Sequence, residues 1–74
     1  MPFKDAVELA CLIGYEYENP GWEHISDMMA TYEDERPPCD GDTLYNLTMK
    51  AVALKKEDKS YKDAVKELCQ LSQH

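Results

Sequence analysis

Apolar residues recur along this chain at intervals of three and four residues, and strict alternation of apolar and polar residues is almost absent. The clearest stripe lies between two turns that contain proline and consists of Trp22, Ile25, Met28, Met29 and Tyr32. This spacing places the side chains on one face of an α-helix, whereas a half-buried strand would alternate every second residue. The pattern therefore predicts an all-α fold.

Turn and capping residues divide this pattern into four short predicted helices, at about residues 2–15, 20–35, 43–56 and 61–72. The second is bounded by Asn-Pro-Gly at 19–21 and by Arg-Pro-Pro at 36–38, because a residue before proline is pushed out of helical geometry. Asp42 or Thr43 is expected to cap the third helix, and Ser60 the fourth. A chain of 74 residues predicts a single domain, a small helical bundle.

The apolar stripes of the four helices predict a common core. Its expected members are Val7, Ile25, Met29, Leu47, Leu54, Val65 and Leu68. Truncating a buried leucine to alanine typically costs about 2–5 kcal/mol, which is a large share of the stability of so small a domain.

The first helix differs from the others because its apolar residues spread over more than half of its circumference. They are Phe3, Ala6, Val7, Leu9, Ala10, Cys11, Leu12 and Ile13. Three short helices are expected to cover such a helix only in part, and an uncovered apolar patch is typical of a contact site. This pattern predicts self-association, most simply as a two-fold homodimer, or docking onto a partner.

Charge divides the chain into two unequal halves. Residues 1–40 carry ten acids against two bases, a balance of −8, whereas residues 41–74 carry five acids and six lysines, a balance of +1. A one-sided negative field affects partner choice and association rate rather than fold. The acids expected to form an outward, partner-binding surface are Glu16, Glu18, Glu23, Asp27, Glu33, Asp34 and Glu35.

Tyrosines close to these acids are candidate interface residues, because tyrosine presents a broad apolar body with a polar tip. The candidates are Tyr15, Tyr17 and Tyr32. The charge balance also predicts what the partner is. An acidic surface fits a protein with a basic surface, and a net charge of −7 with a single arginine argues against direct nucleic-acid binding.

Candidate chemistry is sparse. Cys11, Cys39, Cys69, His24 and His74 are the cysteines and histidines, and no two of them have the two-to-four-residue spacing of a zinc loop. Three cysteines without a framework spacing predict free thiols. Because no nucleophile, base and orienting group suggest themselves, and no glycine-rich phosphate loop is present, we expect neither an enzyme nor a metal or cofactor site. His24 is interpreted as a solvated helix residue.

The N-terminal residues lack the basic start, apolar run and cleavage site of a signal peptide. The longest uncharged stretch of the first helix, residues 9–15, is far too short to span a bilayer. We therefore expect a cytoplasmic protein without membrane contact.

Together these expectations favour a small acidic protein-binding module, a regulator, adaptor or inhibitor that occupies the surface of its partner and does not catalyse. One alternative, by analogy with inhibitors from phages and mobile elements, is an acidic face that imitates nucleic acid and blocks a basic cleft of a nuclease or polymerase. A weaker alternative is a helix-turn-helix-like regulator associated with DNA.

Overall fold

The computed structural model of the protein describes residues 2–32 and 35–71. Within these residues the chain forms four α-helices and no strand: α1 (Pro2–Glu16), α2 (Trp22–Ala30), α3 (Gly41–Lys56) and α4 (Tyr61–Leu71). The predicted all-α bundle of four short helices is thereby confirmed. The bundle measures 35 × 28 × 17 Å along its principal axes. Among the described residues, each helix is too short or too polar to cross a membrane.

Helix α1 packs against α3 and α4, and α3 also packs against α2. Helix α1 approaches α3 closely at Gly14. A Cβ atom added to Gly14 would lie 2.9 Å from the Cβ of Ala51 and 3.3 Å from the carbonyl oxygen of Thr48. Because Cβ atoms do not approach other atoms so closely, glycine is what allows the two backbones to come this near. The helix continues through Gly14 to Glu16, so this glycine serves packing and does not end the helix.

The first helix was expected to be covered only in part, and the structure covers it more fully than its apolar pattern suggested. Five of its apolar side chains, Ala6, Val7, Ala10, Cys11 and Ile13, are at most 1% exposed. Phe3 and Leu9 are partly buried, and Leu12, at 46%, is the one member of that apolar set that is largely exposed. Helices α3 and α4 therefore cover most of the surface on which the dimer prediction rested. The dimer itself stays a prediction.

Most of the predicted core is confirmed. Val7, Ile25, Leu47, Leu54 and Leu68 are buried in one cluster. Met29 and Val65 lie at its edge and are only partly buried. For Met29 the reason is the position of α2, which packs mainly against α3 and so has one side of its stripe open.

The second helix is shorter than predicted, since it begins at Trp22 and ends at Ala30 instead of near residue 35. Thr31 is its C-cap. Its backbone N–H donates to the carbonyl oxygen of Met28 at 3.1 Å, and its hydroxyl donates to the same oxygen at 2.7 Å. Bonds to a carbonyl three residues back compete with the helical ladder. The helix therefore ends before the Arg-Pro-Pro segment is reached.

Of the two predicted helix caps, the one for α3 is wrong and the one for α4 is confirmed. Asp40, and not Asp42 or Thr43, caps α3, because its Oδ1 accepts a hydrogen bond from the backbone N–H of Thr43 at 2.9 Å. Hydrogen bonding from Thr43, by its side chain and its backbone, lowers the pKa of the Asp40 carboxyl. Ser60 caps α4 as predicted, with its Oγ accepting from the N–H of Asp63 at 3.1 Å.

Candidate interaction surface

Of the acidic residues predicted to meet a partner, Glu23 and Asp27 lie on α2 and Glu16 ends α1, while Glu18 and Glu35 flank α2. Those that the structure describes are exposed: Glu16, Glu18, Glu23, Asp27 and Glu35. Glu33 and Asp34 lie outside the described residues. Residues 16–42 contain nine acids and a single base, Arg36. We call the described residues of this stretch, 16–32 and 35–42, the acidic end of the bundle.

Helix α2 is anchored by Ile25, its one fully buried side chain among the described residues. The anchor packs on the start of α3. A Cβ added to Gly41 would lie 3.8 Å from the indole ring of Trp22 and 4.0 Å from Cγ2 of Ile25. Asp40 and Asp42 are the chain neighbours of Gly41 and are both exposed. The docking of α2 therefore brings two further carboxylates, from the start of α3, to the same end of the molecule.

Trp22 and Tyr45 form a parallel stack between α2 and α3. Their ring centroids are 4.4 Å apart and the ring planes differ by 6°. Trp22 is nevertheless 50% exposed, while Tyr45 is partly buried. A flat ring has two faces, and Tyr45 covers only one of them. We call the exposed part of the Trp22 side chain, half of its surface, its open face.

This stack is the part of the surface that the sequence pattern did not predict. The pattern placed Trp22 on the apolar stripe of its helix without naming it as core, and in the structure it is half exposed. Trp22 is the first residue of α2, and its ring lies over α3 and not over the core. The two stacked residues are 23 positions apart in the chain, so no helical period connects them. The only available signal was the polar start of the helix, where a tryptophan follows directly after Pro-Gly.

His24 holds the start of α2 in place and is not the solvated residue that the sequence suggested. Its Nδ1 accepts a hydrogen bond from the backbone N–H of Gly21 at 3.1 Å. The ring of Tyr17 lies 4.2 Å from the imidazole, between centroids, with the planes tilted by 38°. These contacts fix the loop between α1 and α2. Tyr17, which is largely exposed, is thereby held next to the first turn of α2.

The other two tyrosine candidates have different positions. Tyr15 faces away from the acidic end and connects α1 to the loop after α3. Its hydroxyl donates to the carbonyl oxygen of Lys59 at 2.7 Å, and its ring meets that of Tyr61 edge-on at 5.9 Å. Burial raises the pKa of the Tyr15 hydroxyl. Tyr32 is partly buried in the turn after α2. The structure therefore brings Tyr17 together with the acids of α2, and gives Tyr15 a contact within the bundle.

Of the three cysteines, Cys39 lies in the acidic end, whereas Cys11 lies in α1 and Cys69 in α4. Cys11 is buried, Cys39 and Cys69 are partly buried, and none is in a disulfide. Burial, with a smaller contribution from Cys69, raises the pKa of the Cys11 thiol to about 11. A thiol with a raised pKa is a poor nucleophile near neutral pH. In the part of the chain that the structure describes, the His, Cys, Asp and Glu side chains form no cluster able to hold a metal ion.

A shallow groove of about 210 Å³ runs along α4 on the opposite, charge-balanced half. It is lined by Lys59, Asp63, Lys66, Glu67 and Gln70. Lys59 and Glu67 approach to 3.4 Å across it. Because its opposite charges pair with one another, this groove lacks the single sign of charge that distinguishes the acidic end.

Compared with known protein families, curated proteins and solved structures, the chain matches none. The function must therefore be inferred from the residues of the acidic end themselves.

Proposed function

We propose that this protein is a small acidic binding module that occupies the surface of a protein partner, as a regulator, adaptor or inhibitor, and does not act by catalysis. The observation that carries this proposal is the joint exposure of carboxylates and a stacked tryptophan at one end of the bundle. Carboxylates alone are common on solvated surfaces. A half-exposed indole is less common, and tryptophan and tyrosine are enriched where proteins bind one another.

The partner that fits this end carries a basic surface. The acids of residues 16–42 are opposed by Arg36 alone. A surface with one sign of charge raises the rate at which an oppositely charged partner is encountered, and it discriminates against acidic proteins. The aromatic stack then supplies apolar contact area that carboxylates cannot provide.

A second candidate is a nucleic-acid mimic that blocks the basic cleft of a nuclease or polymerase. The observation that favours it is the excess of acids at residues 16–42, which a cleft selective for phosphate would also accept. Competition separates the two candidates. Duplex DNA added to the complex displaces a mimic, whereas a partner bound outside its nucleic-acid cleft stays bound. The helix-turn-helix alternative is less well supported, because the exposed side of α2 carries Glu23 and Asp27, which repel phosphate.

Two expectations accompany the main proposal. We propose a reducing compartment, such as the cytoplasm, because three cysteines without a disulfide are typical of one. We also propose that any homodimer forms away from the acidic end, since like charges placed face to face oppose closure. Leu12 and Tyr61 are the exposed apolar residues that would serve there. Light scattering across a concentration series measures that association.

The proposal is tested by capturing the partner with immobilised protein and eluting it with a salt gradient. The double variant Glu23→Gln with Asp27→Asn removes two charges from the acidic end. A matched control, Glu57→Gln with Asp58→Asn, removes two exposed charges from the other half. We expect the first variant to release the partner at lower salt and the control to match the wild type. Equal shifts for both variants would show that net charge alone, and not this surface, determines binding.

A further inference from the structure

Trp22 presents its open face from a fixed position. Tyr45 stacks on one side of the indole at 4.4 Å, and the backbone at Gly41 lies against its edge. Ile25, one turn along α2, is fully buried and holds the helix on α3. The exposed ring is therefore a flat platform whose orientation is set by the stack on Tyr45. A side chain that is already stacked loses less conformational entropy on binding than a free one.

Two exposed carboxylates lie close in the chain to the two stacked residues, and their charge bears on what the platform can receive. Glu23 follows Trp22 in the first turn of α2, and Asp42 stands one helical turn before Tyr45 on α3. Both are exposed. The face of an aromatic ring carries partial negative charge and attracts a cation, and tryptophan does so most strongly. Platform and carboxylates thus favour the same kind of ligand, a cationic group.

We propose that the open face of Trp22 receives an arginine side chain of the basic partner. In this arrangement the guanidinium stacks on the indole, and the carboxylate of Glu23 or Asp42 accepts its hydrogen bonds. The inference rests on the proposed function, because it names the group by which the basic partner is recognised.

Arginine fits this site better than the other candidates. Its guanidinium is planar and weakly hydrated, so it stacks on a ring and pairs with a carboxylate at the same time. Lysine carries the same charge on a compact, strongly hydrated ammonium, which does not stack. A nucleic-acid base also stacks on tryptophan, but its phosphates would lie among the carboxylates of residues 16–42.

The test uses three short fluorescein-labelled peptides of one design, which carry arginine, lysine or citrulline at the same positions. Citrulline keeps the planar shape of arginine and lacks its charge. Binding is measured by fluorescence anisotropy at low salt. We expect the arginine peptide to bind about three- to tenfold more tightly than the lysine peptide, and the citrulline peptide to bind weakest. Trp22 is the chain's one tryptophan, so its emission should change when the arginine peptide binds.

Variants of the platform identify the residue responsible. In Trp22→Leu the preference for arginine over lysine should vanish, while the binding that depends on net charge persists. Trp22→Phe keeps a smaller ring and should keep part of the preference. Tyr61→Leu is the control, because Tyr61 is a comparably exposed aromatic residue on the other half of the bundle. Circular dichroism of each variant establishes that the bundle is intact.

The outcomes separate the two proposals. Equal affinity of the wild type for arginine and lysine peptides would overturn the arginine platform and leave the acidic binding module standing. A preference that survives in Trp22→Leu would do the same. A single-stranded oligonucleotide that alters Trp22 emission as strongly as the arginine peptide would show base stacking instead. Failure of the module itself is read from the capture experiment with the Glu23 and Asp27 double variant, which involves no arginine peptide.

Discussion

The two ends of this bundle are held together by different means. Where α1 meets α3 and α4, the interface is lined by fully buried side chains, and Gly14 lets two backbones touch. Helix α2, by contrast, contributes one fully buried residue, Ile25, and a tryptophan that is half in water. Regions with few buried contacts open locally at low free energy, and binding surfaces are often found in them. Helices α1, α3 and α4 therefore form the scaffold, and α2, which is attached through few buried contacts, carries the exposed side chains.

The largest expected effect comes from truncating one core residue at each end. Leu68→Ala should cost about 2–5 kcal/mol, and a domain this small has roughly 5 kcal/mol in total, so cooperative melting should be lost. Ile25→Ala should instead detach α2. We expect it to retain a cooperative melt by circular dichroism, while the emission of Trp22 shifts to that of an indole in water. Loss of cooperative melting in Ile25→Ala as well would show that the two ends unfold as one unit.

A smaller effect is expected from Gly14→Ala, which tests the scaffold alone. Alanine favours a helix by about 1 kcal/mol relative to glycine. Its methyl group would meet Ala51 Cβ at 2.9 Å, however, and overpacking of this kind typically costs about 1–3 kcal/mol. We expect net destabilisation, measured by urea unfolding. Adding Ala51→Gly should recover part of the loss. If Gly14→Ala raises stability, the two helices are free to move apart.

The smallest expected effect is a fall in stability at alkaline pH that originates in the scaffold. The pKa of Cys11 is raised from 9.0 to about 11 in the folded protein. Between these values the unfolded chain has lost the thiol proton and the folded chain keeps it, so the free energy of unfolding falls as pH rises. Tyr15 and Tyr61, whose pKa values burial also raises, act in the same direction. Urea midpoints from pH 9 to 11 should decline, and less steeply in Cys11→Ala.

The sequence predicted the parts of the fold that depend on neighbouring residues. Helical period and caps are local signals, which is why the four helices and the Ser60 cap were found. The predictions failed where residues that are distant in the chain determine the structure. Asp40 caps α3 in place of Asp42 because the helix begins earlier, at Gly41, where α2 docks. Trp22 was placed on the apolar stripe of its helix by its period, but its stacking on Tyr45 depends on how two helices cross.

The candidate surface could be predicted in composition but not in geometry. The acids of residues 16–42 are visible in the sequence as a run of one charge. Tyr17 lies near these acids and Tyr15 does not. This difference depends on which side of α1 faces the loop after α3. Tyr15 and Lys59 are 44 residues apart in the chain, and no sequence pattern indicates the 2.7 Å bond between them.

The unequal division of charge also has a mechanical consequence for the encounter with a partner. The bundle is 35 Å long, and charges in physiological salt are screened over about 8 Å. A basic surface close to one end therefore does not sense the charge at the other. It attracts the acidic end, where residues 16–32 and 35–42 carry seven acids and one base, and does not sense the opposite end. The field of the proposed basic partner would therefore exert a torque on the molecule and turn α2 toward it before any side chains touch.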